Sequence, residues 1–173
     1  MKKRTGIIGV LIAIIVLGIG YAAITGVDLL VDGTGKVVPD SDNFAVHYDT
    51  ANAPTVTIGT GVKDTATVTA TYTDGLHATI NVNGFTKKGD SATVVYTIVN
   101  DSEDIAATLG DPEIDTTDLN SEYFTVTASL GTTELAADGG TTTLTVVVSA
   151  IKTPIDTEQE TEIHIDVPAD PVS

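Results

Sequence analysis

Over most of its length this chain alternates with a period of two, and that alternation restricts it to β-structure. Ala66, Val68, Ala70 and Tyr72 interleave with Thr67, Thr69, Thr71 and Thr73. Asp74-Gly75 then interrupts, and Leu76, Ala78, Ile80 and Val82 resume the pattern with polar partners. Successive side chains of a strand point to opposite faces, so this is a hairpin with a core face and a threonine-rich solvent face. Ala92 to Ile98, Phe124 to Leu130, Leu144 to Val148 and Ile163 to Val167 follow the same rule. Less regular strand candidates lie at Phe44–Tyr48, Thr55–Ile58 and Ile105–Ile114. Turns are marked at Lys88-Gly89-Asp90, Asn100-Asp101-Ser102, Asp138-Gly139-Gly140 and Lys152-Thr153-Pro154. No window after residue 26 carries a 3.6-residue apolar repeat. The expectation is an all-β domain, an antiparallel β-sandwich or jelly roll of about nine or ten strands.

The alternation starts only after a different kind of segment. Lys2, Lys3 and Arg4 precede an apolar run from Gly6 to Gly20, and Tyr21-Ala22-Ala23 follows. A basic n-region, a hydrophobic h-region and a small-residue exit are the layout of a secretory signal. The run is shorter than the roughly 20 residues a spanning helix needs. A signal helix over 1–22, cut at Ala22 or Ala23 by a signal peptidase, is therefore the expectation. An uncleaved anchor extended through Ile24 and Val27 is the alternative. On either reading the remainder lies outside the cytoplasm, secreted or at the cell surface, and meets membrane only through the N-terminal segment.

Charge narrows the partners. Without Lys2, Lys3 and Arg4, five basic residues face 24 acidic ones, a net charge of −19. Such a surface repels nucleic acid and anionic lipid. The absence of cysteine removes disulfides, thiolate nucleophiles and thiolate metal ligands. Stability must come from sheet hydrogen bonds and apolar packing.

Residues 23–42 stand apart from the expected domain at 43–173. Val27, Leu29 and Val31 share one strand face, with Leu30 and Val37-Val38 complicating the pattern. Pro39-Asp40-Ser41-Asp42 ends the stretch as a loop-forming linker. From composition this is an edge strand of its own domain, or a detachable strand that pairs elsewhere.

Two segments carry a resemblance. Gly18-Ile19-Gly20-Tyr21-Ala22-Ala23-Ile24-Thr25 is a Gly-rich approach to an aromatic-Ala-Ala exit. Phe85-Thr86-Lys87-Lys88-Gly89-Asp90-Ser91 runs into an alternating strand that ends at Asn100-Asp101-Ser102, with Lys88 where proline is usual. Together they resemble the TasA/camelysin group of secreted bacterial proteins, whose signals are cut by a SipW-type peptidase. The resemblance implies a jelly-roll subunit of an extracellular or biofilm-matrix fibre. It also implies that the mature N-terminal segment, here about Ala23–Val38, inserts into a neighbouring copy. The assembly strand would then comprise Ile24, Val27, Leu29, Leu30, Val31 and Val37, and the partner would be the chain itself, head to tail.

Chemistry finds little support in the residues. The camelysin branch has been labelled metalloprotease, but a helical His-Glu-x-x-His is absent. His47, His77 and His164 sit on separate strand candidates, and the ordinary expectation is solvent-exposed strand histidines. No Gly-x-Ser-x-Gly occurs. Gly59-Thr60-Gly61 and Gly33-Thr34-Gly35 precede no helix and read as turns, not phosphate loops. Catalysis is not expected, nor is a cofactor beyond calcium. Hard carboxylate oxygens cluster at Asp101, Glu103 and Asp104, and again at Asp111, Glu113, Asp115 and Asp118, where calcium is the ligand to consider. Solvated acidic loops are the simpler account. The functional expectation is a secreted fibre subunit. Its competitor is a monomeric, membrane-anchored surface module that binds or adheres, although a chain without Trp is poorly equipped to stack sugars.

Overall fold

In a computed structural model, the described residues are 27–31, 43–155 and 157–172, with only the backbone described over 27–31. The expected signal helix over 1–22, Ala22, Ala23, Ile24, the linker and Val37 lie outside them. The described part is all-β. Its twelve strands are β1 (Val27–Val31), β2 (Val46–Tyr48), β3 (Thr55–Ile58), β4 (Thr67–Tyr72), β5 (His77–Asn83) and β6 (Ser91–Asn100), followed by β7 (Ala106–Leu109), β8 (Glu113–Asp115), β9 (Phe124–Leu130), β10 (Glu134–Leu135), β11 (Gly140–Ala150) and β12 (His164–Val172). The count exceeds the expected nine or ten. Ile105–Ile114 divides into β7 and β8, and the two-residue β10 is too short to alternate visibly.

Five strands form one sheet in the order β2-β6-β11-β9, with β3 also on β6. Its spine is the antiparallel ladder between β6 and β11, in which Tyr96 faces Leu144 and Val94 faces Val146. Ala92, Val94, Tyr96, Ile98, Leu144, Val146 and Val148 are all 0–1% exposed. Each such aliphatic side chain contributes about 1.5–3 kcal/mol by leaving water. β2 and β3 share the other edge of β6, pairing with Ile98–Asn100 and Ala92–Val95 respectively. Between them Asp49 closes a turn, accepting from the Ala51 amide at 3.0 Å and from the Asn52 side chain at 2.7 Å.

The second sheet has seven strands in the order β10-β7-β12-β1-β5-β4, with β8 also on β12. The expected hairpin is present as β4 and β5, with Tyr72 opposite Ala78 and Thr67 opposite Asn83. β4 buries its apolar set only partly, as befits the outermost strand of its sheet. Apolar residues of both sheets merge into one core cluster, from Tyr48, Tyr96 and Ile98 on one side to Ala78, Leu109, Ile165 and Val167 on the other.

Special backbone closes the turns. Gly89 (φ +94°) sits in the tight turn before β6, a conformation that strains any side chain. Asp90 is buried there, and its Oδ2 accepts from the Thr86 and Lys87 amides at 2.7 and 3.1 Å. At Gly140 a Cβ would lie 2.3 Å from the Ala136 carbonyl oxygen, so only glycine fits.

Candidate strand-exchange site

β1 overturns the expectation of an edge strand. It lies inside its sheet, antiparallel to β12 on one side and parallel to β5 on the other. The β12 ladder covers all five residues, from Val27↔Ala169 to Val31↔Ile165. The β5 ladder covers two, Leu30↔His77 and Val31↔Ala78. β1 is thus paired along the whole of its β12 edge and at Leu30 and Val31 on its β5 edge, whereas an edge strand is paired on one side only.

The register also sorts the residues of β1. Val27, Leu29 and Val31 oppose Ala169, Val167 and Ile165, which are 1%, 0% and 1% exposed. Asp28 and Leu30 oppose Pro168 and Asp166, whose positions alternate away from the core. Residues directly opposite on neighbouring strands share a face. The Val27, Leu29, Val31 set read from the sequence therefore holds the core-side register.

Three mutually packed tyrosines stand in and against the core that the two sheets share. The rings of Tyr48, Tyr72 and Tyr96 have centroids 5.6–5.7 Å apart in tilted and edge-on arrangements. Tyr96 ties the sheets together by donating its hydroxyl to the Thr79 carbonyl of β5 at 3.1 Å. Burial, with a smaller contribution from Tyr72, pushes the Tyr96 phenol above the ordinary range of a tyrosine. Tyr48 is fully buried, and among the described residues its hydroxyl has no hydrogen-bond partner. Burial foremost, then repulsion from Tyr96, Tyr72 and Asp166, keeps that phenol neutral at any physiological pH. The main chain adds a further tie, since the Tyr48 amide donates to the Gly75 carbonyl at 2.7 Å.

Just before β5, Asp74 organises the turn. Its Oδ1 accepts from the Leu76 and His77 amides at 2.7 and 2.8 Å and lies 2.7 Å from Nδ1 of the His77 ring. Desolvation opposes ionisation of Asp74, but these hydrogen bonds outweigh it and hold the carboxyl below its ordinary range.

The histidines depart from the expectation of freely exposed side chains. His77 and His164 are 15% and 19% exposed, and His47 is 32% exposed. Each stands beside its own acid: His47 at 2.9 Å from Asp101, His77 with Asp74, and His164 near Asp118 and Glu162. A surplus of carboxylates makes such pairings common; Asp74 and Glu162 are local partners, whereas Asp101 and Asp118 are distant along the chain and hidden from the sequence.

The calcium candidates are scattered. Asp101, Glu103 and Asp104 are exposed on the loop after β6, with Asp101 engaged by His47. Asp111 is exposed before β8, whereas Glu113 and Asp115 lie on β8, opposite Asp166 and His164. Asp115 accepts from the Thr117 amide at 2.8 Å. Among the described residues, the one group of three converging metal-ligand side chains is Asp118, Glu162 and His164, which takes in Asp118 of the second acidic cluster and none of the other six candidates. One signal for it was present: Glu162 and His164 are two apart on an alternating segment, hence on one face.

No protein family, curated protein or solved structure matches this chain.

Proposed function

We propose that this chain is a secreted structural subunit that polymerises into an extracellular or biofilm-matrix fibre, each copy lending its N-terminal strand to the next. The supporting observation is the place of β1, an interior strand with core-side register positions Val27, Leu29 and Val31. Removing it from the sheet uncovers Ala78, Ile165, Val167 and Ala169 along with two unpaired strand edges, a slot that the same strand of another copy fits by construction. Residues 32–45 separate β1 from β2, the first strand of the other sheet, and in this reading the junction between copies falls in that segment. Donation from copy to copy is a heterologous contact and produces an open filament when it does not close.

In this reading the two sheets form a jelly-roll-like sandwich, residues 1–22 are a signal removed on export, and the protein does no catalysis. It is also what the resemblance to the TasA/camelysin group implies. High negative charge keeps subunits apart laterally and leaves the strand contact as the specific one.

A second reading has its own support, because β1 pairs within its own chain here. A domain closed by its own strand and held by an uncleaved N-terminal segment would be a monomeric surface module. The test is to prepare the chain from Ala23 onward and follow it by light scattering and negative-stain electron microscopy. Filaments whose growth is capped by excess synthetic peptide Ala23–Val38 are expected. A monomer at every concentration, indifferent to the peptide, would establish the surface module instead.

A further inference from the structure

Asp118 follows β8, while Glu162 precedes β12 and His164 begins it, 44 and 46 residues further along the chain. The fold brings them together because β8 pairs with the start of β12, His164 opposite Asp115. His164 Nε2 lies 3.7 Å from Asp118 Oδ2 and 3.6 Å from Glu162 Oε1, and the three ligand atoms all fall within 4.8 Å of one another. Ligands about 2.0–2.2 Å from a tetrahedral zinc-sized ion are separated by about 3.4 Å, so these side chains need little movement to share one ion.

We infer that Asp118, Glu162 and His164 form a binding site for a first-row divalent transition metal ion of the zinc class. The donor set selects the ion. One imidazole nitrogen and two carboxylates suit zinc, cobalt or nickel, whereas calcium takes six to eight oxygens, which three side chains with a nitrogen among them supply poorly. The ring is mostly buried at 19% side-chain exposure, while both carboxylates are more than half exposed. Asp118 and Glu162 line an open cleft with Asn81, Glu160 and Thr161, leaving room for water to complete the coordination shell. Each carboxylate neutralised by the ion also relieves repulsion in a strongly acidic chain. The site would clamp the loop after β8 onto the start of β12.

The test uses the full chain in mild detergent, stripped with a chelator and titrated with Co2+ under visible absorbance. One equivalent is expected to raise a ligand-field band that Zn2+ abolishes and excess Ca2+ leaves in place. His164→Gln should remove the band. Asp118→Asn and Glu162→Gln should each weaken Co2+ binding roughly tenfold or more, while His47→Gln leaves it unchanged. Urea midpoints of the metal-free variants check that each is folded. Should His164→Gln fail to fold, Asp118→Asn on its exposed loop decides the matter. A band absent from the unaltered chain, displaced by Ca2+, or unchanged in Asp118→Asn would overturn the site.

Discussion

Val31 of β1 stands in parallel register with Ala78 of β5, and Ala78 is fully buried. It belongs to the one parallel ladder among the described residues, and it is short, two pairs against five on the β12 side. Parallel pairing is slightly weaker per residue than antiparallel pairing. β1 is therefore held mainly by β12, and opening of the slot should begin at β5. Amide hydrogen exchange should be faster across the Leu30–Val31 and His77–Ala78 contacts than across the Leu29–Val167 contact. Equal protection on both sides would contradict this.

Ile165 opposes Val31 from β12 and is 1% exposed. Ile165→Ala leaves a cavity below the slot and should lower stability by about 2–4 kcal/mol in urea denaturation. It should also accelerate exchange of β1. Unaltered stability would mean that this face of β12 is not core.

Asn100 shows how the end of β6 is stapled. It is fully buried, donates its carboxamide to the carbonyls of Ile105 and Ala136 at 2.9 and 3.2 Å, and accepts from the Ser102 amide at 3.1 Å. Asn100→Ala would take this partner from the buried Ser102 amide and from the Ile105 and Ala136 carbonyls, and the expected loss is about 1–3 kcal/mol. Asn100→Asp should also destabilise, because a carboxylate cannot donate to two carbonyls.

Asp74 supplies a pH dependence. Its folded pKa is depressed below its ordinary value of 3.8, so its contribution is complete above that value and is lost as pH falls through the folded pKa. Asp74→Asn should flatten the fall in the urea midpoint between about pH 5 and pH 3. An unchanged slope would show that the turn does not depend on the charged form.

These residues show what could be read in advance. Alternation revealed the strands around Tyr96, Leu144 and Val167 because each buries one face against a single core, and period two reports that burial directly. Asp74-Gly75 and Asp138-Gly139-Gly140 marked their turns because the backbone there demands small or cap-forming residues. The interior position of β1 was hidden, since Val27, Leu29 and Val31 alternate equally well at an edge or in the middle. Which strands flank β1 is settled by contacts with residues 77–78 and 165–169, far along the chain. The convergence of Asp118 with Glu162 and His164 was hidden for the same reason: Asp118 stood out in its acidic cluster and Glu162-x-His164 is a local pair, but nothing local joins the two.

The central claim is that β1 of one copy fills the slot of another, and the natural absence of cysteine allows a direct measurement. Leu29 and Val167 are direct partners across the β1–β12 ladder, and opposed Cα atoms of antiparallel strands, about 4.5–5.5 Å apart, fall within the range a disulfide spans. The chain from Ala23 carrying only Leu29→Cys would be mixed with the same chain carrying only Val167→Cys. After oxidation under assembly conditions, the products would be resolved on a non-reducing gel. Strand exchange predicts a covalent heterodimer joining the two variants, accumulating as filaments grow. No heterodimer from the mixture, together with an internally locked monomer when both cysteines share one chain, would contradict exchange and leave β1 as the strand that closes its own fold.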